Sequence, residues 1–334
     1  MAMKALVYEG PREMNIRQVP VPEPAEDEIL IRVEKVGICG SELSGYLGQN
    51  SLRKPPIVMG HEFSGVVAAA GAHVRRFQTG DRVVVNPLVS CGHCEKCRLG
   101  YGNLCDSRVL AGAGRPGAYA EYVAVPEKNV FLLPAHVSFD VGALAEPFAC
   151  AIRICRLAQI DSLKRVLVLG AGTIGLFVLT AARLFGASDV VVQDMNPDRL
   201  EIAESLGGQG VRSPEALAAV RPSGGFDIAV DAVGLEITRR QCVESAKLGG
   251  TAVFSGLHSA ESALPVNQLI RNEIKIMGSF AYTPYDFHLA LEWIAGGKLR
   301  IEPWIEYLPL EQGKAGFEKL LGSPGKTAKI LLTI

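Results

Sequence analysis

Cys39, His61 and Glu62 bring a thiol, an imidazole and a carboxylate into two short stretches, Gly37-Ile38-Cys39-Gly40-Ser41-Glu42 and Gly60-His61-Glu62-Phe63-Ser64-Gly65. The flanking glycines permit sharp turns, which let side chains distant in the chain converge. Zinc accepts sulfur, nitrogen and oxygen donors together, and a reactive zinc site keeps three protein ligands and one open position. On these residues alone a second reading is equally open: a buried cysteine acting as a small hydrophobe beside an unrelated histidine.

A second cluster is more specific. Cys91, Cys94, Cys97 and Cys105 form C-x2-C-x2-C-x7-C, and four thiolates so spaced can close a tetrahedral zinc site with no water. Bacterial ferredoxins begin with the same run, but their fourth cysteine follows after three residues and precedes proline; Cys105 follows after seven and precedes Asp106. The spacing favours a structural zinc that staples the lobe 91–105, with His93 inside the lobe and outside the ligand set.

The third motif is Gly170-Ala171-Gly172-Thr173-Ile174-Gly175, placed between an apolar strand-like run (165–169) and an apolar helix-like run (176–185). Such glycines allow a tight turn and close backbone approach, so that a pyrophosphate sits on free N–H groups at a helix N-terminus. Asp194 lies nineteen residues beyond Gly175 (194 − 175), matching the spacing of about 20 for an acid that binds ribose hydroxyls and repels a 2′-phosphate. NAD is therefore favoured over NADP; the alternative is a solvated aspartate at a strand end. Arg199 is placed either over the adenine or as a surface helix charge.

These groups need a scaffold. From Lys4 to about Pro134 short β-like runs alternate with Gly, Pro and Asn: 4–8, 29–36, 63–69, 82–85, 119–125 and 130–133. This is the pattern of a compact barrel-like β domain. After Leu144, Glu146-Pro147 opens an apolar helix-like run at a domain junction, where the plain reading of Glu146 is a helix-start charge. Beyond the glycine motif, strand-like 189–193, 226–231, 251–256 and 274–280 alternate with helix-like 237–247, which predicts an α/β doubly wound parallel sheet. A helix around 287–294 and a strand-like 328–334 end the chain, and periodicity leaves open whether they rejoin the first domain.

Size and charge narrow the classes. At 334 residues, 48% hydrophobic and net charge -1, the chain is long enough for two domains and has no clustered basic field for nucleic acid or an acidic membrane. Neither a signal peptide nor an apolar run of membrane-spanning length is present in the sequence. The expectation is a cytoplasmic protein, where four cysteines crowded into one lobe favour metal over disulfides.

Taken together, the order Cys39, His61-Glu62, the four-cysteine lobe, Glu146-Pro147 and the glycine turn resembles the zinc-dependent medium-chain dehydrogenase/reductase family along essentially the whole chain. Glu146-Pro147 and Gly278-Ser279-Phe280 look like its polyol branch, which holds sorbitol, butanediol and galactitol-phosphate dehydrogenases. The resemblance implies a GroES-like β-barrel catalytic domain of residues 1–149 and 285–334 and a Rossmann NAD-binding domain of 150–284. By matching position it implies a catalytic zinc on Cys39 and His61, Glu62 as a ligand or close neighbour, and Glu146 as the carboxylate ligand. Ser41 matches the hydroxyl that starts a proton relay, whereas Ser44 stands where many members have a histidine.

The activity implied is hydride transfer between a secondary alcohol, such as a polyol, sugar alcohol or sugar-alcohol phosphate, and NAD, in a homodimer or homotetramer. Threonine or a simple secondary alcohol is the alternative substrate. A non-catalytic NAD-sensing protein is the alternative from another class, against which the intact Cys39, Ser41, His61 and Glu62 argue.

Overall fold

The computed structural model describes residues 1–302 and 304–334. Two compact units account for them: Met1–Glu146 with Thr283–Ile301 and Ile305–Ile334, and Pro147–Tyr282 with Glu302–Trp304. The chain crosses from one to the other at Glu146-Pro147, inside the helix Ala145–Leu157.

In the first unit the strand Glu28–Gly37 is central, because Ile29, Ile31, Val33 and Val36 are all buried. It pairs antiparallel with Glu62–Ala70, with Tyr122–Pro126 and with the C-terminal Lys329–Thr333. The C-terminal strand therefore rejoins the first domain. Arg82–Val85, Val130–Leu132 and Ile305–Pro309 complete a seven-stranded sheet, and Ala2–Gly10, Glu13–Pro20 and Ile57–Val58 form a separate one. Phe63, Val67, Tyr119, Phe317, Ile330 and Leu332 fill the core.

Two differences from the sequence reading have local causes. The strand expected from Tyr119 starts at Tyr122, because the Tyr119 backbone is taken up by Met59 and Leu6 instead, at 2.9 and 2.8 Å. The strand Glu13–Pro20 has a single fully buried side chain, Met14, so no apolar alternation announces it.

The second unit is a six-stranded, all-parallel sheet in the order Gln209–Val211, Asp189–Gln193, Arg165–Leu169, Phe226–Asp231, Ala246–Phe254, Lys275–Gly278. This is the 3-2-1-4-5-6 order of dinucleotide-binding sheets. The helix expected over 237–247 is Glu236–Ser245; Ala246 leaves it to pair with Phe226, and strand pairing overrides the local preference. No described helix is long and apolar enough to cross a membrane.

Candidate active site

The register of three strands builds the first cluster. Gly37 lies opposite Glu62 on one side and opposite Leu331 on the other, so Cys39, Glu62 and Lys329 meet where the three strands end. Cys39 caps the short helix Gly40–Tyr46, and a ligand atom from each of Cys39, His61 and Glu62 lies within 4.8 Å of the others. Gly37 matters because it has no side chain: a Cβ there would stand 2.2 Å from Glu62 Oε2. Across that gap Lys329 Nζ donates to Glu62 Oε2 at 2.6 Å, Glu62 Oε1 at 2.9 Å and Ile38 O at 2.9 Å. Burial pulls the Lys329 amine down, yet the charges of Glu62, Cys39 and Glu146 and the Glu62 hydrogen bonds together outweigh it and the pKa is raised. Both oxygens of Glu62 are thus held by an ammonium.

Glu42, fully buried, organises the other side. Its Oε1 takes the Gly60 N–H at 2.7 Å and faces His61 Nδ1 at 3.1 Å, while its Oε2 accepts from the Tyr119 hydroxyl and the Cys39 N–H. With Nδ1 turned to a carboxylate, Nε2 is the nitrogen left for a metal, the usual way an outer carboxylate orients a ligating histidine. Burial pushes the Glu42 carboxyl up, but His61, Arg53 and Tyr119 more than reverse this and hold it down at about 2. Gly60 makes the turn into His61 at φ +99, a left-handed conformation that glycine adopts without strain.

The charges test whether a dication fits. Among the residues around this point, Cys39 as the thiolate a metal requires, Glu42, Glu62 and Glu146 are negative, while Arg53 and Lys329 are positive, and all but Cys39 are buried. The surplus of two negative charges is what one zinc ion neutralises. Burial lowers the His61 pKa but the Glu42 and Cys39 charges raise it well above the ordinary value, so a metal entering here displaces a proton.

Around this point the other expected residues fall differently. Ser41 Oγ donates to Cys39 Sγ at 3.4 Å and accepts from Arg53 Nη2 at 3.1 Å. Ser44 Oγ turns back to the Ser41 carbonyl at 2.9 Å, so it does not extend a chain from the Ser41 hydroxyl. Glu146, 7% exposed in the first turn of its helix, acts on the Lys329 charge but stands outside the group of three converging ligand atoms.

In the lobe, the sulfurs of Cys91, Cys94, Cys97 and Cys105 lie within 4.8 Å of one another. Cys91 Sγ and Cys97 Sγ are 3.9 Å apart, against about 3.8 Å for the edge of a tetrahedron with 2.3 Å zinc–sulfur bonds. Backbone N–H groups of Cys94, Cys97 and Cys91 point at the sulfurs of Cys91, Cys94 and Cys105 at 3.4–3.5 Å. The His93 and Cys94 amides hold the Cys91 thiol down to about 6, favouring the thiolate a metal needs. His93 is exposed and engages the Cys91 carbonyl at 3.0 Å.

The glycine turn has the form that phosphate binding requires. Gly170 has φ +100, a Cβ on Gly175 would meet Gly170 O at 1.7 Å, and a Cβ on Gly172 would meet nothing within 4 Å. Gly172 caps the twelve-residue helix Thr173–Leu184, which places a helix N-terminus directly after the turn. Asp194 follows its strand directly, with Oδ2 accepting from Ala171 N at 2.7 Å and Oδ1 from Asn196 N at 2.8 Å. Arg199 is half-buried on the helix Pro197–Ser205.

Sequence reasoning missed Glu42, Arg53, Tyr119 and Lys329. Glu42 had a signal, an acid three residues after a helix-capping position. Lys329 had a weaker one, a charge at the head of an apolar strand.

Comparison with known proteins agrees with this geometry. Residues 25–135 match the alcohol dehydrogenase GroES-like domain and residues 173–296 the zinc-binding dehydrogenase domain. Sorbitol dehydrogenase of Bacillus subtilis (strain 168) is 34% identical over 344 residues, spanning 99% of this chain and 97% of that protein. A zinc-binding dehydrogenase from Sinorhizobium meliloti 1021 bound to NADP superposes with a TM-score of 0.93 at 31% identity, over 100% of both chains. An alcohol dehydrogenase from Escherichia coli CFT073 complexed with NADH gives 0.93 at 28% identity, over 100% of this chain and 99% of that one.

Proposed function

The chain belongs to the zinc-dependent alcohol dehydrogenase family, and from that premise we propose that it transfers hydride between a polyol or related secondary alcohol and NAD. The observation that carries the reading is the convergence of Cys39, His61 and Glu62 on one point in a chain that also has the open glycine turn. Likeness to a sorbitol dehydrogenase supports the polyol class.

When bound, the metal supplies Lewis acidity toward an alcohol oxygen and the nicotinamide supplies a hydride acceptor. Cys39, His61 and Glu146 are the proposed ligands of the first metal, and Cys91, Cys94, Cys97 and Cys105 those of the second. Lys329 engages both carboxylate oxygens of Glu62, and each oxygen keeps a second lone pair, so Glu62 stands as a further ligand or as a close neighbour of the metal. Glu42 fixes the His61 ring, and Ser41 supplies a hydroxyl beside Cys39. Structures similar to this one hold NADP in one case and NADH in the other, so the choice falls to Asp194. A carboxylate beside the glycine turn accepts ribose hydroxyls and repels a 2′-phosphate.

The strand Lys275–Gly278 pairs on one side only among the described strands, with Ile276 and Phe280 exposed. That open edge supports a homodimer or homotetramer in which a second copy pairs there, which light scattering checks. Among the described residues no cysteine is in a disulfide, which supports a reducing compartment such as the cytoplasm.

The test of function is NADH formation by the zinc-loaded protein across polyols, polyol phosphates, diols and threonine. Turnover confined to threonine moves the substrate class, and NAD binding without turnover of any member of the panel overturns the enzyme reading.

A further inference from the structure

Among the described residues Arg53 is the only buried arginine, at 3% exposed. Its Nη2 bonds a neutral hydroxyl, Ser41 Oγ, at 3.1 Å, and its Nε has no hydrogen-bond partner among the described residues. A guanidinium taken out of water with its donors only partly used is costly. Its place is built: Gly45 leaves room for the stem, since a Cβ there would stand 2.4 Å from Arg53 Cδ.

The chemistry of the contact is directional. A serine hydroxyl has one proton and two lone pairs, and a guanidinium can only donate. Arg53 therefore occupies one lone pair of Ser41 Oγ and turns the hydroxyl proton away from itself, toward Cys39 Sγ at 3.4 Å. Donation into Oγ also polarises the O–H bond and strengthens it as a donor.

We propose that Arg53 is a positioning residue for the metal site: it fixes the Ser41 proton on Cys39 Sγ, so that the thiolate meets a bound metal with part of its charge already engaged. A thiolate so engaged is a weaker donor and leaves the metal a stronger acid toward the alcohol. The inference rests on the reading of Cys39 as a metal ligand.

The experiment loads the stripped protein with cobalt(II) and records thiolate-to-metal charge transfer. Subtracting the spectrum of Cys39→Ser removes the contribution of the four-cysteine lobe. Loss of a hydrogen bond raises the sulfur donor orbitals, so Arg53→Met and Ser41→Ala should each move the Cys39-dependent band to lower energy. The double variant should move it no further. Gly45→Ala, which displaces the arginine stem while keeping the charge, should shift it the same way, and Arg53→Lys should shift it less.

In zinc-loaded protein kcat/KM should fall roughly tenfold to a hundredfold in Arg53→Met, as for other residues that orient a metal ligand. Lys54→Met, an exposed neighbour, should leave both readouts unchanged. A Cys39-dependent band that stays put in Arg53→Met and Gly45→Ala overturns the proposal alone. Absence of any Cys39-dependent band overturns the metal reading beneath it.

Discussion

Replacing Lys329 by methionine keeps most of the side-chain volume and removes one charge. Its ammonium has three protons and three acceptors, Ile38 O and both oxygens of Glu62, at 2.6–2.9 Å. Lys329 is 1% exposed and Glu62 is 0% exposed, so water cannot take the place of the lost partner. Breaking one side of a buried pair typically costs about 3–5 kcal/mol, mostly as the penalty of the charge left behind. For a unit of this size each kcal/mol moves Tm by about 2–4 °C, so the loss is on the order of 10 °C. The assay is urea unfolding followed by the fluorescence of Trp293, which lies in the same unit. Glu62→Gln added to Lys329→Met should recover much of the loss, because no uncompensated charge remains. A cost for Lys329→Met below about 1 kcal/mol, or strictly additive losses in the double variant, would refute the argument that Lys329 and Glu62 compensate each other.

Cys97→Ser should release one zinc equivalent and lower Tm, because the metal binds the folded lobe preferentially; unchanged metal content refutes the lobe assignment. Asp194→Ser should narrow the preference for NAD over NADP by about tenfold or more, since opposing like charges cost several kcal/mol; titration of both cofactors reads it. Glu146→Gln should lower occupancy of the first zinc and shift the pH–rate profile; full zinc content with an unshifted profile leaves Glu146 as a helix-start charge. Asp227 is pushed up by burial but pulled further down by Lys247 and Arg165, so its folded pKa lies below its unfolded one. Its contribution to stability is therefore present above about pH 4 and fades as pH falls through the folded value; Asp227→Asn should lower the urea midpoint at neutral pH and converge with the unmutated protein in acid.

The four-cysteine cluster, the Cys39, His61 and Glu62 group and the glycine turn were readable as clusters because their chemistry restricts residue type. Four cysteines within fifteen positions and a glycine motif between a strand and a helix carry their geometry with them. The central strands were readable for a related reason: Arg82–Val85, Asp189–Gln193 and Phe226–Asp231 are short apolar runs bounded by turn residues. Glu13–Pro20 was not, because it has one fully buried side chain. The helix ending at Ser245 was overrun by two residues, because Ala246 is claimed by a strand partner twenty positions away.

The residues that hold the ligands are a different case. Arg53 reaches Ser41 from a loop across a glycine, and Lys329 reaches Glu62 from the far end of the chain across another. Neither contact has a local pattern; each exists because a particular glycine leaves space and a particular register faces it. Side chains alternate along a strand, so a slip of Lys329–Thr333 by one residue against Glu28–Gly37 would turn Lys329 to the opposite face. Glu62 would then lose its counter-ion. The pairing of Leu331 with Gly37 is therefore as much a part of the candidate site as Cys39, His61 and Glu62, and it ties that group to the docking of the last strand.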